Sequence, residues 1–145
     1  MNKTITMFVL IFAVITCHAN NLNNIQIKDF YIVMLPGADN ASGYGVIVNA
    51  GDKADMLMSV SSNNTSIMLH QTQIHTGMAN MVRSLNFLIK AKDSFVLKPM
   101  SYHLMLTHIS KDIDRETNTI IIKFEFKNSD AISVKIPILS RHKYN

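Results

Sequence analysis

Hydrophobic and polar residues alternate along most of this chain with a period of two, which is the pattern of β-strands that bury one face. The alternation is clearest near the C-terminus, where apolar residues recur at every second position in two consecutive segments: Ile120, Ile122, Phe124 and Phe126, then Ile132, Val134 and Ile136. No segment has a convincing helical period. The pattern therefore predicts an all-β protein.

The predicted strands are short and are separated by turn residues. They cover residues 25–34, 44–49, 54–60, 66–71, 85–89, 94–97, 101–108, 120–126 and 132–136. The segment 72–79 has no clear period and contains Gly77, so it is predicted as a loop that leads to Met81. About eight or nine short strands at such intervals predict one β-sandwich or Greek-key barrel, with no repeat and no linker.

The first nineteen residues do not belong to this barrel. Lys3 is followed by an apolar run at 7–16 and then by the small residue Ala19. That order is typical of a secretory signal peptide cleaved after Ala19, and the run is too short for a transmembrane helix. The sequence predicts a signal peptide at 1–19, a single domain at 20–145 without a transmembrane span, and export of that domain.

Cys17 is the only cysteine of the chain. Cleavage before Cys17, with a lipid on its sulfur, is a second interpretation, which we disfavour because Thr16 is bulkier than the small residue that usually precedes a lipidated cysteine. Cleavage after Ala19 would leave a mature chain without a disulfide, a thiol nucleophile or a thiolate ligand. A blue-copper electron-transfer site is then disfavoured, since it needs a cysteine thiolate beside two imidazoles.

The charge pattern and the absence of catalytic motifs narrow the function further. Fourteen basic and ten acidic side chains give a formal net charge of +4, which becomes 13 − 10 = +3 without Lys3. The basic residues are spread out, without a run or an aromatic-interleaved stripe, which argues against nucleic-acid binding. The sequence has no nucleophile elbow, paired-carboxylate site or phosphate-cradling glycine loop, so we do not expect an enzyme.

Four residues between positions 70 and 105 have the chemistry of a soft-metal site. They are His70, Met81, His103 and Met105, with ten residues between the first two and twenty-one between Met81 and His103. The strand period puts His70 opposite Leu69, and puts His103 and Met105 together opposite Leu104. If the leucines face the core, the candidate ligands point to the rim or surface, where Met81 could swing in from its loop.

Two imidazoles and two thioethers form a soft, mostly neutral donor set that suits Cu(I) better than harder ions. The competing interpretation is that the methionines are packing residues, because the chain has ten of them and methionine fills irregular core gaps. The protein would then be a metal-free β-sandwich that binds another envelope protein. His75, Met78 and Met100 are further candidate ligands, with loop and packing roles as their default.

This spacing and its flanks resemble the PCu(A)C family of periplasmic copper chaperones. The flanking matches are Leu35-Pro36-Gly37-Ala38, Asn40, Tyr44, Leu69, Leu97-Lys98-Pro99, Tyr102, Leu104 and Leu106. The resemblance covers residues 30–108 and implies a cupredoxin-like β-barrel with a surface-near Cu(I) site, whose ligands are His70, Met81, His103 and Met105. It also implies delivery of copper towards the CuA centre of cytochrome c oxidase, through oxidase subunit II or a Sco-type chaperone.

The chain departs from that family at three places. Gln71 stands where many members have a methionine after the first histidine, and Met100 and Ser101 replace two usual glycines, which could alter the loop before His103. The tail rich in histidine and methionine is missing, and with it the basis for a second, Cu(II)-type site.

Two expectations follow for the copper site. Copper scavenging for tolerance would use the same four residues as delivery, so the sequence leaves both open. Because histidine must lose its proton to bind a metal, Cu(I) affinity should fall as the pH drops through about 6.5.

Overall fold

The computed structural model describes residues 24–35, 37–84, 86–109 and 118–140. The predicted signal peptide with Cys17 and the predicted strand position Leu85 lie outside these residues. Within the described ranges every regular element is a β-strand, and no helix is long and apolar enough to cross a membrane.

Ten strands make up the described part of the fold. In chain order they are β1 (Ile25–Met34), β2 (Ala41–Asn49), β3 (Asp55–Ser61), β4 (Ser66–His75), β5 (Met78–Arg83), β6 (Phe87–Ile89), β7 (Asp93–Leu97), β8 (Tyr102–Thr107), β9 (Thr119–Phe126) and β10 (Ile132–Ser140). This confirms the predicted all-β class, with ten strands where about eight or nine were expected.

The strands form one curled sheet in the order β5-β4-β8-β2-β1-β10-β9-β3-β6, and β7 pairs with β2. Strand β10 joins the two halves, because its first part pairs antiparallel with β9 and its end runs parallel to β1. The sheet curls until β3 contacts β4, which nearly closes it into a barrel. Strand β5 therefore lies at the edge of the sheet, outside the contact between β3 and β4.

The core is filled by the inward positions that the alternation predicts. Its largest fully buried apolar side chains come from six strands: Ile32, Ile47, Ile89, Leu104, Leu106, Ile122, Phe124 and Ile136. Each such side chain contributes about 1.5–3 kcal/mol when it leaves water. Phe30 packs edge-on against Phe124 at 5.1 Å between ring centroids, and its ring lies so close to Gly45 that a Cβ there would overlap it.

One strand carries a buried charge into this core. Asp55, at the start of β3, is 4% exposed. Its carboxylate accepts hydrogen bonds from the backbone N–H of Met56 at 2.7 Å, of Asn128 at 2.9 Å and of Ser129 at 2.9 Å, and from the Asn128 side chain at 3.2 Å. Burial raises the pKa of Asp55, but the hydrogen bonds outweigh it and the pKa is lowered overall. Asp55 thereby fastens the turn between β9 and β10 to β3.

The predicted loop at 72–79 is wrong. Strand β4 continues to His75, β5 begins at Met78, and Thr76 and Gly77 form the turn with φ angles of 49° and 81°. Two consecutive positive φ angles are the mark of a tight two-residue hairpin turn. The period was unreadable because no residue from Gln71 to Arg83 is buried, so neither face of this hairpin has to be apolar. Met81 thus lies in a strand and not on a loop.

Candidate metal centre

The pairing of β4 with β8 brings the two candidate histidines together. His70 and His103 are direct register partners, and their ring centroids lie 5.9 Å apart at an interplanar angle of 81°. Directly opposed residues in an antiparallel pair have Cβ atoms about 4.5–5.5 Å apart, so both rings rise from adjacent points of one face. Two imidazoles at this separation can contribute to one metal site.

His103 is oriented for binding by its own strand. Its Nδ1 lies 3.1 Å from the carbonyl oxygen of Ser101. When Nδ1 carries the proton and donates to that carbonyl, Nε2 is left with a free lone pair, which is how metal-binding histidines are commonly fixed. The ring is only 4% exposed, and the rings of Tyr44 and His70 lie 6.5 Å and 5.9 Å from it.

The sequence predicts that the His103 side chain lies at the rim or surface. This is wrong, because the side chain is buried. The strand phase is right, because Leu104 on the other face is fully buried in the core. The rings of Tyr44 and His70 come from neighbouring strands, so a one-strand pattern could not reveal them.

His70 has a buried nitrogen without a partner. Its Nδ1 is enclosed and makes no hydrogen bond. Burial lowers the pKa of His70, and the nearby charges of His103 and Arg83 lower it further. A buried polar atom without a partner costs about 1–3 kcal/mol, so natural proteins rarely keep one without a reason. The imidazole is held neutral, in the form that binds a metal.

The two candidate methionines approach the same region from either side. Met105 follows His103 by two residues on β8 and is half-buried, while Met81 pairs with Thr72, diagonally next to His70 on β5. Diagonal neighbours lie about 7–8 Å apart, within reach of long side chains. Met81 and Met105 line one cleft of about 460 Å³, together with Tyr44. All four candidates therefore share one face of three adjacent strands.

The other candidate ligands lie elsewhere. His75 and Met78 are register partners at the tip of the β4–β5 hairpin, on the face opposite His70. Met100 is exposed in the loop before β8 and does not line the cleft.

Three residues beside the site did not emerge from the sequence as ligands or neighbours. Met68 is the register partner of Met105, Arg83 is that of His70, and Tyr44 contacts both the cleft and the His103 ring. The period of two does place Met68 on the same face as His70, two residues before it, but Met68 was not among the predicted ligands. The position of Arg83 depends on the β4–β5 register, which the sequence pattern does not reveal.

The loop that presents His103 is a type II turn. Ser101 N–H donates to the Lys98 carbonyl at 3.2 Å, Pro99 follows Lys98, and Met100 has a φ of 60°. A positive φ is required at that third position and is normally met by glycine. Met100 therefore keeps the glycine-like backbone at a steric cost, so the departure at this residue does not abolish the turn.

The same loop separates two strands that pair with the same side of β2. β7 and β8 pair with consecutive stretches of β2, residues 45–49 and 41–43. Lys98 N–H donates to the Tyr102 carbonyl at 2.8 Å and closes the loop, and Thr72 N–H donates to the Ser101 carbonyl at 3.1 Å, tying it to β4. The start of β8 is thus fixed against β4.

The described residues do not bring carboxylates or further imidazoles together into a second kind of metal site. Among the residues that the structure describes, no three histidine, cysteine, aspartate or glutamate side chains form a group that could hold a metal ion. The soft donors that this face does bring together are two imidazoles and thioethers, a set that favours soft ions.

Comparison with known proteins identifies both a family and a fold. The family model described as "Putative lipoprotein LpqE-like", a PCuAC-type family, matches residues 25–138. The copper-bound PCuAC domain from PmoF2 matches with a TM-score of 0.65 at 19% identity, over 81% of this chain and 93% of that one.

Two metal-free structures give the same result. The apo PCuAC domain from PmoF1 has a TM-score of 0.64 at 19% identity, over 81% of this chain and 94% of that one. Apo-DR1885 from Deinococcus radiodurans has a TM-score of 0.60 at 19% identity, over 97% and 95%. At this identity the likeness establishes the cupredoxin-like β fold. No curated protein matches.

Proposed function

This chain belongs to the LpqE-like family, and we propose that it is an exported copper chaperone that binds one Cu(I) ion through His70, Met81, His103 and Met105. The observation that carries the proposal is the pair of facing histidines, one whose Nδ1 lies at hydrogen-bond distance from a carbonyl oxygen and one whose Nδ1 is buried without a partner. The copper-bound PCuAC domain from PmoF2, which has the same fold, supports copper as the ion.

The donor set favours carriage over electron transfer. Imidazoles and thioethers are neutral, so they match the low charge and softness of Cu(I) and offer Cu(II) no thiolate. No catalytic step is assigned to these residues, and the protein is proposed as a carrier rather than an enzyme.

We propose that the protein delivers its copper towards the CuA centre of cytochrome c oxidase. The acceptor would be oxidase subunit II or a Sco-type chaperone. Scavenging for copper tolerance would use the same site, and only a transfer assay with such an acceptor separates the two. Rapid transfer supports delivery, whereas retention of copper in the presence of the acceptor supports scavenging.

A periplasmic location belongs to the same proposal. The family description names lipoproteins, which supports export and strengthens the case for a lipid on Cys17. We still expect cleavage after Ala19, with Cys17 lost. Mass spectrometry of the exported protein decides this, because a chain that begins with lipidated Cys17 differs in mass from one that begins with Asn20.

Anaerobic titration with Cu(I) in competition with a chromophoric chelator tests the binding site. We expect one equivalent to bind, and binding to be lost in the double variant His103→Ala, Met105→Ala. The matched control is His75→Ala, Met78→Ala, which removes the same two residue types from the tip of the hairpin.

The control should bind like the unmodified protein. If the unmodified protein shows no binding tighter than micromolar, the metal-free interaction module becomes the better interpretation. The exposed edge strand β5 would then be the first surface to test for partner binding.

A further inference from the structure

We propose that the cleft beside Met81 and Met105 is the docking surface for a copper-accepting protein, and that it receives an apolar segment carrying a sulfur donor. This inference rests on the proposed copper site. It adds the route by which copper leaves and the chemistry of the partner.

The cleft is continuous with the copper ligands. Its volume is about 460 Å³, and its lining includes Met81 and Met105 beside Tyr31, Val33 and Leu35. Anything that fills it therefore touches two of the four proposed ligands. His103, in contrast, is 4% exposed and does not line the cleft, so an incoming group meets thioethers first.

The chemistry of the lining defines the occupant. Among the described residues that line the cleft none carries a formal charge, and the polar groups are the side chains of Asn40 and Ser42 and the phenols of Tyr31 and Tyr44. Leu35 and Met81 are 48% and 58% exposed, so apolar surface faces the solvent at its edge. A charged chelator would lose hydration without gaining a partner of opposite charge in this lining, whereas an apolar protein segment would bury the exposed apolar surface.

The neighbouring strand offers such a segment a backbone partner. β5 pairs only with β4 in the described sheet, so one edge of β5 leaves its backbone groups unpaired beside Met81. An extended segment can add to an open edge by main-chain hydrogen bonds and place alternate side chains in an adjacent cleft.

The exchange itself needs no oxidant or reductant. The bond from copper to the Met81 sulfur breaks as a bond to the incoming sulfur forms, and copper remains Cu(I). If the donor is a cysteine, its thiol proton passes to solvent. His70 and His103 hold the ion until the second incoming donor binds.

Variants that block part of the cleft distinguish copper transfer from copper binding. Val33 lies on β1, two strands away from Met105 across Ser42, so Val33→Trp should occupy the β1 side of the cleft and leave all four proposed ligands in place. The matched control is Val96→Trp, at a 44% exposed strand position outside the cleft. A second variant, Leu35→Glu, puts a charge at the edge of the cleft, and its control is Leu88→Glu at 51% exposure.

The full-length protein, loaded with Cu(I), is mixed with apolar decapeptides that carry two cysteines, two methionines or two serines at the same places. We expect Val33→Trp and Leu35→Glu to keep Cu(I) affinity within about twofold and to slow transfer to a sulfur peptide at least tenfold. Both controls should transfer like the unmodified protein. The two sulfur peptides distinguish thiolate from thioether acceptors.

Three outcomes overturn the proposal. Unchanged transfer in both cleft variants would mean that copper leaves by another route. Loss of affinity in both would make the cleft part of the copper cage. Equal transfer to the serine peptide would remove the need for a sulfur donor. Failure of the proposed function looks different, since the unmodified protein would then bind no copper.

Discussion

The Asp55 carboxylate and the Nδ1 atom of His70 are both buried polar groups, on strands that contact each other, yet the fold supplies hydrogen bonds to only one of them. The Asp55 carboxylate accepts four hydrogen bonds, and these attach the β9–β10 turn to the barrel. The His70 Nδ1 makes none. A buried group whose partners are all supplied by the fold stabilises the fold, whereas one left without a partner is available to a ligand. The difference separates the structural end of this barrel from its functional face.

Removal of the Asp55 carboxylate should have the largest effect on stability. Asp55→Ala leaves three backbone N–H groups without their hydrogen-bond acceptor. We therefore expect the free energy of unfolding to fall by about 3 kcal/mol or more. Urea denaturation of the apo protein measures this. Copper affinity of the folded fraction should stay within about twofold, and a large loss there would contradict the division between the two regions.

His70→Ala should show the reverse pattern. Cu(I) affinity should fall at least hundredfold, which corresponds to about 2.7 kcal/mol. The free energy of unfolding of the apo protein should fall by less than for Asp55→Ala, because no hydrogen bond of Nδ1 is lost. Competition titration and urea denaturation on the same preparation give both values. Copper affinity unchanged in this variant would remove His70 from the ligand set.

Acid should act on the two residues in different pH ranges. The pKa of His70 is lowered from 6.5, so as the pH falls below 6.5 the unfolded chain takes up a proton before the folded one and stability declines. The pKa of Asp55 is lowered from 3.8, so its stabilising contribution is present above 3.8 and disappears as the pH falls further, through its folded pKa.

Urea denaturation of the apo protein at a series of pH values checks this order. The decline that begins near the reference histidine pKa of about 6.5 should be absent in His70→Gln. Protons also compete with copper at both imidazoles, so Cu(I) affinity should be lower at about pH 5 than at about pH 7.5. Equal affinity at these two pH values would contradict the histidine ligands.

The smallest effect concerns the turn before His103. Met100 has a φ of 60°, a conformation that costs an L-residue about 1–2 kcal/mol and glycine almost nothing. After the greater chain entropy of glycine is subtracted, Met100→Gly should stabilise the apo protein by about 0.5–1 kcal/mol. Ser101→Gly is the control and should destabilise it, because Ser101 is not among the positive-φ residues. Thermal denaturation distinguishes the two signs.

Sequence reasoning was strongest where one face of a strand is buried. The alternation from Ile120 to Ile136 matches the observed β9 and β10, because every second side chain must enter the core. It failed at the β4–β5 hairpin, where Met78–Arg83 is exposed throughout and no core contact imposes a period. The same exposure hid the strand that carries Met81.

The sequence by itself determined which candidate ligands share a face. The period of two is a property of the local chain, so His103 and Met105, or Met68 and His70, are set on one side of a strand before any strand pairs. It also determined the residue types and their spacing, and therefore the preference for a soft ion. These properties need no knowledge of neighbouring strands.

Only the tertiary structure decided that His70 stands opposite His103, that the rings of Tyr44 and His70 lie against His103, and that Met81 and Met105 line one cleft. Strand register depends on contacts between residues far apart in the chain, and a shift of one residue would turn every side chain of β4 to the other face. The same contacts leave the His70 nitrogen without a partner, a property that no local pattern encodes.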